Sequence, residues 1–302
     1  MIAHRPARRE RCVPRPTVDR RIIGTLHRMP YPARFYAALH RGSPGDLAHY
    51  QRVCRGASSV LELGCGSGRV LAALAAPGRR VVGVDRDPEQ LALAEETLRD
   101  LDPEHRRGIE LIEGAMESIS LGERFDRVLV PFGGLWCLLD DAALHATLRT
   151  IVDHLAPGGR VAFDGYRADE FHHEAEPDDV PEDAHTPLTR VEVDGVAYEV
   201  LERSTWDKPR QRIDVSYLYV DEAGRGVEGT IAQRYLLEPQ LRAALERVGL
   251  TIVRLDGGFV VPDHEAERDD TNDHASGDDE EDVEDEEDEQ GELMIVEAIR
   301  SS

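Results

Sequence analysis

Val60-Leu61-Glu62-Leu63-Gly64-Cys65-Gly66-Ser67-Gly68-Arg69 decides the fold of this chain. Val60 to Leu63 reads as a short apolar strand, and the glycines that follow hand it to a helix starting near Val70. Glycine is required there because the turn is tight and a ligand must approach bare backbone. A glycine-rich turn after a strand suits several ligands, so its neighbours must discriminate. The nicotinamide-dinucleotide fingerprint would put a third small residue at position 69, where Arg69 stands. A phosphate-binding loop would need Gly-Lys-Ser/Thr, whereas the chain's one lysine is Lys208.

Working outward, apolar strands and amphipathic helices alternate. Val70 to Ala76 reads as a helix stopped by Pro77-Gly78, and Val81 to Asp85 as the second strand. Asp87-Pro88 is an N-cap and first-turn pair for a helix from about Glu89 to Leu101. Further strands are expected at Ile109–Ile112, Arg127–Val130 and Arg160–Phe163. A helix from about Ala142 to Leu155 is expected to stop at Pro157-Gly158-Gly159. Upstream, two short helices between Tyr31 and Cys54, broken at Gly42-Ser43-Pro44-Gly45, would cap the domain. Such alternation means a parallel sheet covered on both faces.

Beyond residue 166 the period changes to two. Thr189–Ser204, Arg212–Asp221 and Glu228–Leu236, with turn signals at Asp194-Gly195 and Ala223-Gly224, read as a small antiparallel insertion. A helix near Pro239–Val248 and strands Thr251–Leu255 and Leu293–Ile299 close the chain. The expected division is an Arg-rich disordered leader over 1–22 and a main domain over 23–300. That domain holds the insertion at 186–237 and an acidic disordered loop at 262–291.

With 302 residues and 40% hydrophobic content, the chain can bury a full α/β core. Its net charge of −24 is concentrated: Asp263 to Glu289 hold 17 acids against Arg268 alone. Such a run repels itself and reads as a disordered loop. No apolar stretch approaches a membrane span, and the leader lacks the apolar core of a secretory signal. The leader reads as a basic segment of a cytoplasmic protein, with an organelle transit peptide as the alternative. Cys12, Cys54, Cys65 and Cys137 show no paired spacing, so neither disulfides nor a metal site is expected. Cys137 reads as a small core residue.

The glycine turn from Glu62 to Gly68 has the acidic-apolar-G-x-G-x-G pattern used where the ligand is an amino acid joined to a nucleoside. Asp85, ending the second strand, suits bidentate acceptance of two ribose hydroxyls. Its other reading, a helix cap, falls more naturally on Asp87.

These segments resemble the class I S-adenosylmethionine-dependent methyltransferase family. Leu61 to Gly68 is similar to its first motif and Gly83-Val84-Asp85 to its second. Glu110 to Met116, Phe125 to Phe132, Leu155 to Val161 and Gly249 to Val253 are similar to later ones. The resemblance implies an α/β, Rossmann-like seven-stranded methyltransferase sheet of order 3-2-1-4-5-7-6, with strand 7 antiparallel and a small antiparallel β insertion after strand 5. It implies S-adenosylmethionine as cofactor. Glu62, Gly64, Cys65, Gly66, Ser67 and Gly68 would hold its methionine part and Asp85 its ribose. Arg86, Ala115 and Met116 would border the adenine, and Pro131 and Phe132 would lie near the sulfonium. Gly133-Gly134-Leu135-Trp136 would form part of the acceptor wall. Ala115 departs from the pattern, since many relatives have an acid there; Glu117 or a backbone carbonyl would substitute.

Methyl transfer needs alignment and a dry, electron-rich pocket more than a strong catalyst. Tyr36 is a candidate lid residue by resemblance, with a core tyrosine as its other reading. Weak candidates for acceptor chemistry are His172, His173 and His40, each also read as solvent-exposed. The signatures of amino-methylating nucleic-acid enzymes, cytosine methyltransferases and arginine methyltransferases are missing. A small-molecule N or O acceptor is therefore expected, with no nucleic acid and no membrane, and a homo-oligomer is possible through the insertion. The alternatives are a non-catalytic cofactor-binding regulator or partner subunit and, less favoured, an enzyme acting on protein or RNA.

Overall fold

The computed structural model describes residues 27–28, 31–176, 185–261 and 292–301. The Arg-rich leader over 1–22, the acidic loop over 262–291 and Cys12 lie outside the described residues.

Hydrophobic strands interrupted by glycine turns give a seven-stranded sheet. Its strands are β2 (Ser59–Leu63), β3 (Arg80–Asp85), β4 (Ile109–Glu113), β5 (Phe125–Val130), β6 (Leu155–Tyr166), β11 (Leu250–Asp256) and β12 (Leu293–Arg300). The order is β4-β3-β2-β5-β6-β12-β11, and β12 runs antiparallel to both β6 and β11. In family terms that is 3-2-1-4-5-7-6 with strand seven reversed, as expected. The helices are α1 (Ala33–Leu39), α2 (Asp46–Val53), α3 (Arg69–Leu74), α4 (Pro88–Arg99), α5 (Pro103–Arg106), α6 (Asp141–His154), α7 (Asp169–Glu174) and α8 (Glu238–Arg247). Val60, Leu61, Val81, Val82, Val128, Leu129, Val161 and Ala162 are wholly buried, as strands covered on both faces must be.

Asp87 caps α4 by accepting the Glu89 N–H at 2.9 Å, with Pro88 in the first turn, as its sequence foretells. The helix before Pro157-Gly158-Gly159 ends where expected, but the strand starts earlier than expected. α6 ends at His154, and β6 begins at once with Leu155 paired to Phe125. The Pro-Gly-Gly segment is an excursion inside that strand, left-handed at Gly158, before pairing resumes at Arg160 with Arg127.

The second sheet joins β7 (Thr186–Val193), β8 (Val196–Asp207), β9 (Arg212–Asp221) and β10 (Gly226–Arg234) as an antiparallel meander. The stretch from Thr189 to Ser204 is divided into two strands at Asp194-Gly195, as its turn signal indicates. Asp194 and Gly195 both take positive φ, as a two-residue hairpin turn demands. A two-residue strand, β1 (His27–Arg28), pairs in parallel with β10. Helix α1 packs on this sheet through Phe35, whose ring lies 4.9 Å from Tyr219 and 5.1 Å from Tyr198.

Helix α2 is tied to the main sheet through Glu297 of β12. This carboxylate is fully buried and accepts from Arg52 of α2 at 2.9 Å and from Arg160 of β6. Burial opposes its ionisation, but the two guanidiniums override that and hold its pKa below the ordinary glutamate value.

Candidate cofactor and acceptor site

The glycine turn is built as its composition requires. Gly64, Gly66 and Gly68 have φ of 75°, 52° and 78°. The Gly64 and Cys65 N–H groups both donate to the Val84 carbonyl, at 2.8 and 3.0 Å, pinning the turn to the end of β3. Helix α4 crosses close behind it, where a Cβ on Gly68 would meet that of Ala94 at 3.1 Å. Cys65 is buried and packs on Gly83, whose missing side chain makes the room.

Three carboxylates surround this turn. Asp85 accepts the Gly66 N–H at 2.8 Å through one oxygen and the Asp87 N–H at 2.9 Å through the other. Burial raises its pKa, and those backbone bonds oppose the rise. Glu62 is 2% exposed, and its Oε2 has no partner among the described residues. Burial drives its pKa well above the ordinary range, with Arg69 opposing. Asp46 of α2 takes both terminal nitrogens of Arg69, at 2.8 and 2.6 Å. The arginine that argued against a dinucleotide thus clamps the cap helix beside the turn.

Two further contributors were missed in the sequence. Gln90 of α4 is buried, and its Oε1 faces Gly66 without a partner. It lies one turn ahead of Ala94 on the buried face of α4, which was the available signal. Asp164 of β6 is also buried. It accepts the Tyr50 hydroxyl and, at 2.8 Å, the Phe132 N–H, while its carbonyl accepts the Gly133 N–H at 3.1 Å. These bonds hold Phe132 at a φ of 55°, a left-handed conformation that a bulky residue adopts only under constraint. Burial lifts the Asp164 pKa to about 6, against the Tyr50 and Phe132 hydrogen bonds.

Beyond the turn, a cleft opens between the N-terminal cap and the second sheet. Tyr36, His40, Phe132, Gly133, Cys137, Asp164, Tyr166, Tyr217 and Gln233 are among its walls. Tyr36 lies 4.3 Å, ring to ring, from His40, and His40 lies 5.1 Å from Tyr217 and 6.3 Å from Phe132. His40 is 8% exposed rather than solvent-exposed as read, and burial lowers its pKa to about 3. Cys137 is exposed rather than in the core. The 3-10 turn Gly134–Cys137 buries Leu135 and Trp136 and leaves Cys137 at the cleft.

His172 and His173 do not line this cleft. His172 Nδ1 bonds the Tyr235 hydroxyl at 2.8 Å, which also receives the Trp206 indole N–H at 3.0 Å, and His173 is exposed. Met116 lies over the turn, its Cε 3.3 Å from where a Cβ on Gly64 would be. The Ala115 carbonyl accepts from Ser118 and Ile119, Arg86 is exposed, and Pro131 is buried. Among the described residues no group of acids, histidines or cysteines is placed to hold a metal.

A family model described as a methyltransferase domain matches residues 60–159, from β2 to the excursion in β6. The chain is 34% identical over 113 residues to a cypemycin N-terminal methyltransferase from Streptomyces sp., a match covering 37% of this chain and 44% of that protein's length. It is 27% identical over 240 residues to a dTDP-3-amino-3,6-dideoxy-α-D-glucopyranose N,N-dimethyltransferase from Streptomyces fradiae, covering 75% of this chain and 86% of that one. The fold is similar to that of the CcbJ methyltransferase from Streptomyces caelestis, with a TM-score of 0.65 at 20% identity over 90% of this chain and 99% of the other. Sheet order, glycine turn and domain match agree: residues 60–159 match a methyltransferase domain, and the described residues around them have the fold of a solved methyltransferase.

Proposed function

We propose that the protein transfers a methyl group from S-adenosylmethionine to a nitrogen or oxygen of a small molecule held in the aromatic cleft. The observation that carries this reading is the buried, unpartnered Glu62 oxygen beside a turn of bare glycines, with Asp85 next to it. A buried acceptor without a donor costs about 1–3 kcal/mol, and a bound ammonium would relieve that cost. Glu62 would take the amino group of the cofactor and Asp85 its ribose hydroxyls, with Gly64, Gly66 and Gly68 offering backbone beneath. Met116, Ala115, Arg86 and Gln90 would border the remainder.

When bound, S-adenosylmethionine supplies an electrophilic methyl group on a cationic sulfur. The side chains of this chain then have to align the acceptor and exclude water. Tyr36, Phe132 and Tyr217 present aromatic faces that favour a cation without attacking it. Asp164 and Tyr50 hold the Phe132 backbone where the acceptor and cofactor would meet.

The amino-sugar relative favours a nitrogen acceptor on a small molecule, and nucleic acid is not part of the reading. No helix among the described residues is long and apolar enough to cross a membrane. Free Cys54, Cys65 and Cys137 support a cytoplasmic site of action, and the second sheet is our choice for any contact between copies.

The test is transfer of radiolabelled methyl from S-adenosylmethionine to dTDP-3-amino-3,6-dideoxy-α-D-glucopyranose and to a metabolite extract. Labelled small-molecule product is expected. Cofactor binding with no labelled product from either would favour a binding protein without transfer activity, the reading that Ala115 supports.

A further inference from the structure

Tyr31 enters the protein just ahead of α1, and its ring fills the space left by the missing side chain of Gly229 on β10. Its hydroxyl stands between two partners, the Tyr219 hydroxyl at 2.6 Å and His40 Nε2 at 3.1 Å. The Tyr219 hydroxyl also lies 3.1 Å from the Phe35 carbonyl of α1. Burial raises the pKa of both phenols, so each keeps one proton.

Proton counting then fixes every direction in this chain. The Phe35 carbonyl can only accept, so Tyr219 spends its proton there. Tyr31 must therefore donate to Tyr219, which uses the proton of Tyr31. The Tyr31 oxygen is left as an acceptor, so the Nε2 of His40 must carry a hydrogen and donate it. The proton of a neutral imidazole is thereby committed to Nε2, and Nδ1 keeps a free lone pair. Nδ1 makes no hydrogen bond to any described residue, and His40 is one wall of the cleft.

We propose that Phe35, Tyr219 and Tyr31 form a one-way hydrogen-bond relay that locks His40 as the Nε2–H tautomer, so that Nδ1 accepts a hydrogen bond from the donor group of the methyl acceptor. This rests on the reading of the cleft as the acceptor site. A nitrogen or oxygen awaiting methylation carries both a hydrogen and a lone pair. Engaging the hydrogen on a fixed acceptor leaves the lone pair to be aimed at the methyl group. His40 acts here through orientation, because a ring held neutral far below its ordinary pKa is a good acceptor and a weak base. Tyr36 and Tyr217, packed against His40, limit how the ring can turn.

Nitrogen NMR of histidine-labelled protein with S-adenosylhomocysteine bound reads the tautomer directly and needs no acceptor. His40 is expected to be protonated at Nε2 only and not to titrate between about pH 5 and 8. A proton at Nδ1, or titration in that range, overturns the proposal. Tyr219→Phe frees the Tyr31 hydroxyl to donate to Nε2 and should add signals with Nδ1 protonated. Tyr31→Phe removes the oxygen that holds the Nε2 hydrogen, so it too should add signals with Nδ1 protonated. A tautomer unchanged in Tyr219→Phe overturns the relay; melting curves check that both variants fold. For contact with the acceptor, His40→Asn keeps an oxygen near the Nδ1 position and His40→Leu removes any acceptor. With the dTDP-amino sugar, or the labelled product's precursor from the extract, the acceptor KM should rise about tenfold in His40→Leu and less in His40→Asn, the cofactor KM being unchanged. Equal losses in the two variants refute the contact. Wild-type protein that binds cofactor but labels nothing defeats the functional reading, and the tautomer measurement still decides the relay.

Discussion

Asp85→Ala isolates the hydrogen bonds on which the cofactor reading depends. In the folded protein each Asp85 oxygen already receives one backbone N–H, from Gly66 at 2.8 Å and from Asp87 at 2.9 Å. Those bonds orient the carboxylate along the end of β3, and each oxygen keeps a further lone pair for a ribose hydroxyl. Removing the side chain deletes both ribose bonds and also releases the Gly66 N–H that shapes the turn. Hydrogen bonds to a charged group contribute about 1.5–3 kcal/mol, which sets the expected loss for the change. That corresponds to a rise of roughly 10- to 150-fold in the Kd of S-adenosylmethionine. Asp85→Asn keeps one oxygen and should fall between the wild type and alanine. Isothermal titration calorimetry measures both. An unchanged Kd in an Asp85→Ala protein that retains its wild-type melting transition would refute the placement of the ribose.

Asp164→Asn should change the pH dependence of stability. The Asp164 pKa lies near 6 in the folded protein, above its value of about 3.9 in an unfolded chain. The folded state therefore binds more protons between those limits, and stability falls as pH rises through that window. The wild type should lose stability relative to Asp164→Asn between about pH 4 and 6, by roughly 2–3 kcal/mol, in denaturant titrations. Parallel pH profiles would contradict the assignment. Arg69→Met leaves Asp46 buried without its charged partner, with the Ser43 N–H still donating to it, and should destabilise the fold by about 2–4 kcal/mol, less than for a fully buried pair because Arg69 is partly exposed. A change below about 0.5 kcal/mol would remove the clamp from the account. Gly165→Ala places a Cβ 2.7 Å from the Trp136 ring and should cost about 1–3 kcal/mol by overpacking, read as a lower melting temperature.

The sheet was legible in the sequence because its inner strands are largely buried apolar runs, as in β2 and β3. Val81–Asp85 followed by Asp87-Pro88 shows this well, where strand, cap and helix start follow from adjacent residues. Pro157-Gly158-Gly159 misled because a turn signal is local while strand pairing is not; β6 resumes only because β5 offers a partner at Arg127. In the insertion, Asp194-Gly195 marked the boundary between β7 and β8 because a two-residue hairpin turn is written in adjacent residues.

The cofactor turn was legible for a different reason, since a left-handed backbone demands glycine at 64, 66 and 68. The rest of the site depends on distant partners. Tyr50 and Asp164 are 114 residues apart, and Tyr31 and Tyr219 are 188 apart, so no spacing rule links them. Asp46 and Tyr50 do share one face of α2 at a separation of four, a pattern that would have pointed both toward the turn. His40 reads as an ordinary surface histidine until the second sheet closes over it. The pair His172-His173, more conspicuous in sequence, belongs to a short helix with a structural bond to Tyr235.

The central claim is that this glycine turn, with Glu62 and Asp85, holds S-adenosylmethionine. Calorimetric titration of the full chain with S-adenosylmethionine tests it directly, with nicotinamide adenine dinucleotide as the control. The account predicts one site per chain for S-adenosylmethionine, weakened in Asp85→Ala, and no heat from the dinucleotide. Absence of S-adenosylmethionine binding to the folded wild-type protein, or binding of the dinucleotide at this turn, would contradict it.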